Sequence, residues 1–270
     1  MIIQIESAAH PGTEVYFHHS DAMLRSKQHP EEALFIAEGP KVVSSALDAG
    51  YQPVAVLIRE RHLHGEEGMR LLSKCGDVPV YTGSDDVLAS LTGFRLERSW
   101  IQAAMRRPPE RTLSEVCAGA KRVAVLEDIT EPSNVGAIFR SAAALGFDAV
   151  LLSPSCCDVY HRRCVRVCMG TVFQLPWART AADSGLSELR SLGFQTVCMA
   201  LREDSRSLED PILQKADRLA VYLGTEDKGL KDETIAGCDH TVMIPMAPGV
   251  DSLNVAAAAA IAFWQLRKRT

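Results

Sequence analysis

No Cys-x2-Cys pair occurs anywhere in the chain, although it carries 8 cysteines in 270 residues. The recurring zinc modules are built on such pairs, so a structural zinc site is not expected to organise this fold. The densest group is Cys156, Cys157, Cys164 and Cys168, with His161 among them. Its intervals are irregular. Free cysteines of this kind read as small buried hydrophobes in a reducing compartment, and no metal is expected. The chain also lacks an excess of basic charge, with a net charge of −5 and a pI of about 5.9. A protein that held nucleic acid through its overall field would be positive, so any contact with RNA or DNA has to use local patches.

Long apolar runs are missing too. The longest, from Val255 to Trp264, falls well short of the roughly 20 residues that span a membrane. The start, Met1-Ile2-Ile3-Gln4-Ile5-Glu6, has neither a basic head nor an apolar stretch of secretory length. A cytoplasmic protein without membrane contact is expected. No Gly-x-Gly-x-x-Gly follows a strand, which removes the dinucleotide fingerprint and with it a nucleotide-dependent oxidoreductase. Gly224 to Gly229 has the Gly-x4-Gly spacing of a phosphate loop. Leu230, however, stands where lysine is required, and Glu226 and Asp227 would repel phosphate.

What is present reads as α/β. Hydrophobic residues make up 47% and charged residues 23%, which suits a globular chain of one large domain or two ordinary ones. The pattern predicts a strand over 33–37 and a helix over 40–49, with Pro40 in its first turn and Gly50 as its stop. It then predicts a strand over 53–58, a helix over 69–74, a strand over 79–81 and a helix over 85–91. Met105-Arg106-Arg107-Pro108-Pro109-Glu110-Arg111 is charged and holds two prolines, so it reads as a linker or the outer edge of a strand. The expected division is a small domain over 1–105, a linker over 106–120 and a second domain over 121–270. In the latter, a strand over 123–126, a helix over 134–145 and a strand over 149–152 form a βαβ unit with buried parallel strands. Further strands are expected over 196–201, 219–223 and 242–245. A final helix over 252–269 follows, its basic end, Arg267-Lys268-Arg269, complementing the dipole.

Three loops follow strands of the second half, where ligands collect in open α/β sheets. The first runs Glu127-Asp128-Ile129-Thr130-Glu131-Pro132-Ser133-Asn134-Val135-Gly136, with Arg140 further along the helix. Asn134 can serve simply as the helix cap. Arg140 stands in an otherwise apolar or small helix, where a buried charge would need a partner or a task. The second loop is Leu223-Gly224-Thr225-Glu226-Asp227-Lys228-Gly229, acidic enough for a cationic ligand or for an ordinary helix start. The third, Ile244-Pro245-Met246-Ala247-Pro248-Gly249-Val250-Asp251-Ser252-Leu253-Asn254, is mostly apolar until the mouth of the final helix. It suits a ligand held by main-chain groups and flat contact.

Taken in order, Asn134-x-Gly136-x3-Arg140, Gly224-x-Glu226-x2-Gly229, and Ile244-Pro245-Met246 through Ser252-Leu253-Asn254-Val255-Ala256 closely resemble the three signature motifs of the SpoU (TrmH) family of RNA ribose 2′-O-methyltransferases, within the SPOUT superfamily. The resemblance covers residues 121–270 strongly. Leu34-Phe35-Ile36-Ala37-Glu38-Gly39 looks like part of the family's small substrate-binding domain. The resemblance implies an α/β knot, a deep trefoil in which the chain end is threaded through a loop, preceded by a small N-terminal α/β domain that binds the RNA. It implies S-adenosylmethionine as cofactor, held at Leu223, Gly224, Glu226, Ile244, Met246 and Leu253. It assigns Asn134, Arg140, Glu226, Ser252 and Asn254 to the catalytic positions, and it implies a homodimer. Arg166-Val167-Cys168-Met169-Gly170 looks like the family's Arg-x-Ser-x-Gly segment, with Cys168 in place of serine.

The implied reaction is methylation of a ribose 2′-hydroxyl in ribosomal or transfer RNA, ribosomal RNA being favoured. A guanidinium stays protonated, so Arg140 is expected to stabilise the developing oxyanion and clamp a phosphate, with proton removal left open. RNA contacts are expected from Arg162, Arg163 and Arg166 with His161. A second basic patch is expected from Arg95, Arg98, Arg106, Arg107 and Arg111 around the linker. The competing expectation is a non-catalytic RNA-binding or ribosome-assembly factor that keeps the fold.

Overall fold

Leu219-Ala220-Val221-Tyr222-Leu223 carries no charged residue and is buried along its whole length, as the interior of a parallel sheet requires. The same holds for the apolar run Val123 to Leu126, and such strands set the architecture. The computed structural model describes every residue except 8, 18–20, 27, 94, 98, 182–184, 226, 250–251 and 269–270, and of residues 21 and 22 the backbone alone. The strands in chain order are β1 (Ile2–Gln4), β2 (Leu34–Glu38), β3 (Pro53–Arg59), β4 (Val80–Gly83), β5 (Ile101–Arg106), β6 (Arg122–Leu126), β7 (Ala149–Leu152), β8 (Trp177–Arg179), β9 (Gln195–Met199), β10 (Arg206–Ser207), β11 (Leu219–Leu223) and β12 (His240–Met243). The result is a mixed α/β protein. It divides into two compact units, Met1–Pro109 with Tyr160–Phe173, and Glu110–Val159 with Gln174–Thr270. Among the described residues no helix is long and apolar enough to cross a membrane.

The first unit is a five-stranded sheet in the order β1-β4-β3-β5-β2. The strands β1, β4 and β3 are parallel, and β5 is antiparallel to both its neighbours. Met105 and Arg106, which open the charged run read as a linker or a strand's outer edge, end an inner strand. Only Arg106 of β5 is exposed, so the charged, proline-rich run begins where the sheet stops. Ile36, Leu57, Tyr81, Leu88 and Leu91 form the core on one side.

The segment Tyr160–Phe173 belongs to this unit rather than to its sequence neighbours. Tyr160 stacks on Phe35 with ring centroids 4.7 Å apart, and its hydroxyl lies 3.0 Å from that of Tyr51. Gly170 makes the fit possible. Its φ of +84° suits glycine, and a Cβ there would stand 2.8 Å from Ser45 Cβ.

The second unit is a seven-stranded sheet in the order β10-β12-β9-β11-β6-β7-β8, parallel throughout. The helices Leu113–Cys117, Leu186–Ser191 and Asp232–Gly237 cover a core containing Val125, Cys198, Tyr222 and Leu230. Away from that core, helix Pro132–Ala144 packs against the final helix, Val255–Leu266. Phe147 and Phe263 meet there with centroids 4.1 Å apart.

Both helices start elsewhere than the spacing predicts. Pro132 opens the first, and the Glu131 carboxylate caps it by accepting from Ser133 N. Asn134 is therefore not the cap. The final helix begins at Val255, because Asn254 caps it by accepting from Ala256 N at 3.0 Å and Ala257 N at 3.3 Å. It ends at Leu266, before the basic run.

Arg122, 3% exposed, locks the end of this helix to the sheet. Its guanidinium donates to the carbonyls of Leu266 at 2.8 Å, Ala216 at 3.0 Å, Lys121 at 3.0 Å and Asp217 at 3.1 Å. Replacing it by alanine leaves buried carbonyls without donors, at a cost of about 2–4 kcal/mol. The Arg122→Ala chain is expected to unfold at a clearly lower urea concentration. Lysine is expected to restore only part of the stability, since it cannot reproduce the planar fork of donors. An unchanged urea midpoint would remove this role for Arg122.

Candidate active site

Parallel strands bring their carboxyl ends to one edge, and a cleft opens there above β9, β11 and β12. Its volume is about 260 Å³, near the low end of the roughly 300 Å³ and upward usual for small-molecule sites. Met199, Ala200 and Leu201 line it after β9; Leu223, Gly224 and Thr225 at the end of β11; and Val242, Met243, Ile244 and Met246 at the end of β12. Ser252, Leu253, Val255 and Ala258 complete the wall. Of the expected cofactor positions, Leu223, Gly224, Ile244, Met246 and Leu253 converge here. Glu226 lies outside the described residues, as do Val250 and Asp251 of the third loop. Met199 and Leu201 come from a strand end that carries no motif, so nothing in the linear pattern marks them.

The loop after β11 closes on itself. Thr225 N donates to Gly229 O at 3.1 Å, and Gly229 N returns to Thr225 O at 3.0 Å. A Cβ on Gly224 would lie 2.2 Å from the Gly229 carbonyl carbon, so only glycine permits this approach. Gly229 holds a φ of +66°, in the region that favours glycine.

Two acids after β6 fix this loop from outside. Glu127 is 1% exposed and accepts from Lys231 N at 2.7 Å and Thr234 Oγ1 at 2.5 Å. Asp128, at a φ of +58°, pairs with Lys231 Nζ at 2.9 Å. It also accepts from Ser153 Oγ at 2.9 Å and from Ser155 Oγ. Burial raises the Asp128 pKa, but Lys231, Ser155 and Ser153 outweigh it, and the carboxyl sits below its ordinary value. Lys231 is held above its ordinary value by the same pair. The Glu127-Asp128 doublet falls within the first loop motif yet takes no role from the linear pattern. A signal is nevertheless there: acids directly after a buried strand require donors.

The expected polar residues are brought together only in part. Asn254 Nδ2 donates to Asn134 Oδ1 at 3.1 Å, which joins the first and third loops. Ser252 lines the cleft at the mouth of the final helix. Arg140 is exposed, and among the described residues its side chain makes no ion pair or hydrogen bond. It stands ~9 Å further along the helix than Asn134 and ~120° around it. The argument from burial therefore fails for Arg140: Val135, Ile138, Phe139 and Ala142 take the buried stripe, and the arginine faces solvent.

Arg162, Arg163 and Arg166 fall in the first unit, on helix Arg162–Val167. Arg162 donates to the carbonyls of Tyr16 at 3.1 Å and Val15 at 3.2 Å, and lies 3.9 Å from the buried Glu38 carboxylate. Arg166 lies 3.7 Å from Glu38 but stays 56% exposed, and Arg163 is exposed. Cys168 is fully buried and its thiol donates to Val165 O at 3.2 Å, so it turns inward. The arginines expected to form the linker patch are placed as follows. The strand β5 carries Arg106 to the end of the sheet opposite Arg95, Arg107 sits over the Tyr160 ring, Arg111 pairs with Ala178 in the second unit, and Arg98 lies outside the described residues.

Comparison with known proteins adds the relationship. The SpoU rRNA Methylase family matches residues 121–264. An uncharacterized tRNA/rRNA methyltransferase of Mycobacterium bovis is 41% identical over 237 residues, covering 87% of this chain and 81% of that protein. The 23S rRNA (guanosine(2553)-2′-O)-methyltransferase RlmP of Bacillus subtilis is 27% identical, covering 89% and 91%. Among solved structures, an AdoMet-bound rRNA methyltransferase from Sinorhizobium meliloti superposes with a TM-score of 0.83 at 24% identity, covering 98% of this chain and 97% of that one.

The Asp128–Lys231 pair yields a signed expectation. A carboxyl whose folded pKa is depressed contributes stability that is present above its unfolded value of about 3.9 and lost as pH falls below it. The lysine's share is present below about 10.4 and lost at higher pH. Thermal melts between about pH 3 and 7 should show the wild-type chain losing the aspartate's share on the acid side. Asp128→Asn should melt lower at neutral pH and show a shallower acid decline. Parallel curves for the two proteins would remove the assignment.

Proposed function

Because the chain belongs to the SpoU rRNA methylase family, we propose that it transfers the methyl group of S-adenosylmethionine to a ribose 2′-hydroxyl of RNA, with ribosomal RNA the favoured substrate. The observation that carries this reading is the cleft at the strand ends, closed by the Gly224 loop and by the mouth of the final helix. The relative from Bacillus subtilis, which bears the name of a 23S rRNA 2′-O-methyltransferase, supports the choice of ribosomal RNA.

The residues present fit the cofactor. The walls are mostly apolar side chains and main chain, with Thr225 and Ser252 the polar side chains, as suits an adenosine held by flat contact and backbone groups. Leu223, Gly224, Ile244, Met246 and Leu253 would hold it, with Glu226 of the second motif. When bound, S-adenosylmethionine supplies a methyl group on a positively charged sulfur. The chain's own residues do the rest. Arg140 stays cationic, so its part is to stabilise the alkoxide that develops on the ribose and to hold the adjoining phosphate. The bridge from Asn254 to Asn134 keeps the helix mouth beside the cleft, and Ser252 at that mouth orients the ribose. Proton removal from the hydroxyl, a weak acid, needs a base; neither asparagine nor the arginine is one.

Three further features belong to this reading. The chain path supports a deep trefoil knot. The strand β12 lies beyond β9, away from β6, yet the helix after it packs on Pro132–Ala144, which follows β6. The chain end therefore recrosses the sheet edge past the Gly224 loop, an arrangement most folds avoid. The first unit serves as the RNA substrate-binding domain. A homodimer is supported by the final helix, where Ile261 and Trp264 stay 42% and 57% exposed three residues apart on one face.

Arg140→Ala is the test. It should lower methyl transfer to purified ribosomal RNA by about 100-fold or more, while S-adenosylmethionine binding by calorimetry stays within about twofold because the residue does not line the cleft. Transfer near the wild-type rate would sink the role of Arg140. A wild-type chain that binds the cofactor and RNA but methylates no RNA would favour the non-catalytic factor instead.

A further inference from the structure

A second concavity lies in the first unit, at the carboxyl end of β3. Its volume is about 410 Å³, and Arg59, Arg61, Arg95, Asp85, Leu88 and Leu96 line it with Glu97. Arg59 is buried at its base and already committed. Its Nε donates to Asp85 Oδ1 at 2.6 Å, its Nη2 donates to Asp85 Oδ2, and its Nη1 donates to Leu96 O at 2.9 Å. This pair holds the Asp85 carboxyl below its ordinary value, so the acid closest to the base is neutralised by its own partner. Arg61 and Arg95 are exposed. Among the described residues that line the cleft, they stand opposite Glu97 and the Asp85 carboxylate that Arg59 already holds, inside a chain that is acidic overall.

An aromatic platform stands beside these charges. His62 stacks on Trp100 with centroids 4.5 Å apart and an interplanar angle of 13°. Trp100 is 8% exposed and His62 is half-buried, so the buried indole backs the more open imidazole. Arg61 Nε donates to His62 Nε2 at 3.2 Å, which fixes the ring against the arginine. Burial and the neighbouring Arg61 and Arg59 hold His62 below its ordinary pKa, so at neutral pH it offers a flat uncharged face. A cation pair next to a stacking surface is the combination that single-stranded nucleic acid uses, phosphate on arginine and base on ring.

We propose that this cleft is an RNA subsite, in which Arg61 and Arg95 hold a backbone phosphate and one unpaired base stacks on His62. The inference rests on the methyltransferase reading, since it names how the same substrate is gripped away from the reacting ribose. It also gives Arg95 a place among new neighbours, which the linear grouping with Arg106 and Arg107 obscured. Arg59 serves as the scaffold of the site, and its removal would collapse the wall rather than delete an RNA contact.

The test uses the full chain and a fluorescein-labelled single-stranded oligouridylate, with anisotropy read across a salt series. Arg61→Ala combined with Arg95→Ala should weaken binding by about tenfold at low salt. It should also flatten the plot of log affinity against log salt by about 0.7 for each phosphate that the variant no longer neutralises. His62→Ala should weaken binding several-fold with the salt slope unchanged, because a stacked base releases no counterions. Arg70→Ala, at an exposed arginine on helix Glu66–Lys74, should change neither quantity. S-adenosylmethionine binding and melting temperature should stay as in the wild type for all three. If the double variant keeps wild-type affinity and slope while the wild type still methylates ribosomal RNA, the subsite is overturned and the function stands. A wild-type chain that neither binds nor methylates RNA would overturn both.

Discussion

A carboxylate that leaves water must find donors, and Glu127 finds them on the far side of a loop. Its two oxygens accept from Lys231 N and Thr234 Oγ1, so the end of β6 and the start of helix Asp232–Gly237 cannot move independently. From the end of β11 at Leu223 to Lys231 the chain has only a few residues in which to turn. It does so through the closed Thr225–Gly229 loop, where any side chain at 224 would strike Gly229. The cleft wall follows from that restraint. Asp128 repeats the device with Lys231, and its positive φ shows how far the backbone is bent to reach it. Removing one partner of such a set leaves a buried charge, which is why the pairs act together.

The third loop is held differently. Asn254 directs its carbonyl to the first free amides of the final helix and its amide to Asn134. One side chain thus caps a helix and joins two loops that are far apart in the chain. Arg122 anchors the other end of the same helix through Leu266 O. A helix fixed at both ends brings Ser252 and Leu253 to the cleft in a set position, and its outer face is left with Ile261 and Trp264 uncovered. Arg140 shares that openness. It stands in solvent on the neighbouring helix, so its charge is available to an incoming anion at little desolvation cost.

The first unit is completed by a segment that arrives late in the sequence. Tyr160 and Phe173 finish a cluster begun by Phe35 and Tyr51, and Arg162 of the same segment donates to Tyr16 O. Glu38 at the end of β2 is buried, and Arg162 and Arg166 supply the opposite charge. Arginines that read as free RNA contacts in the linear pattern are thus partly structural. Arg61 and Arg95 come together only because β3 and the chain leading into β5 meet at the same edge.

Periodicity by itself determined the α/β class, the strand over Leu219–Leu223, the strand over Ala149–Leu152 and the helix beginning at Asp85. These depend on unbroken apolar runs and local caps, which are written in adjacent residues. The three loop motifs were legible because glycine, proline and asparagine at fixed spacing mark turns and helix mouths wherever they occur. The β5 strand was not legible, since its charged end and two prolines resemble a linker until Leu34 to Glu38 pair alongside it. Nor did composition decide the fate of Arg140, because whether a charge in an apolar helix is buried depends on which face meets a neighbour. The return of Tyr160–Phe173, the Glu127 clamp and the Asn254–Asn134 bridge were decided by tertiary structure alone. Each joins residues about 100 or more positions apart, and such contacts exist only once the sheets have set which strand ends lie side by side.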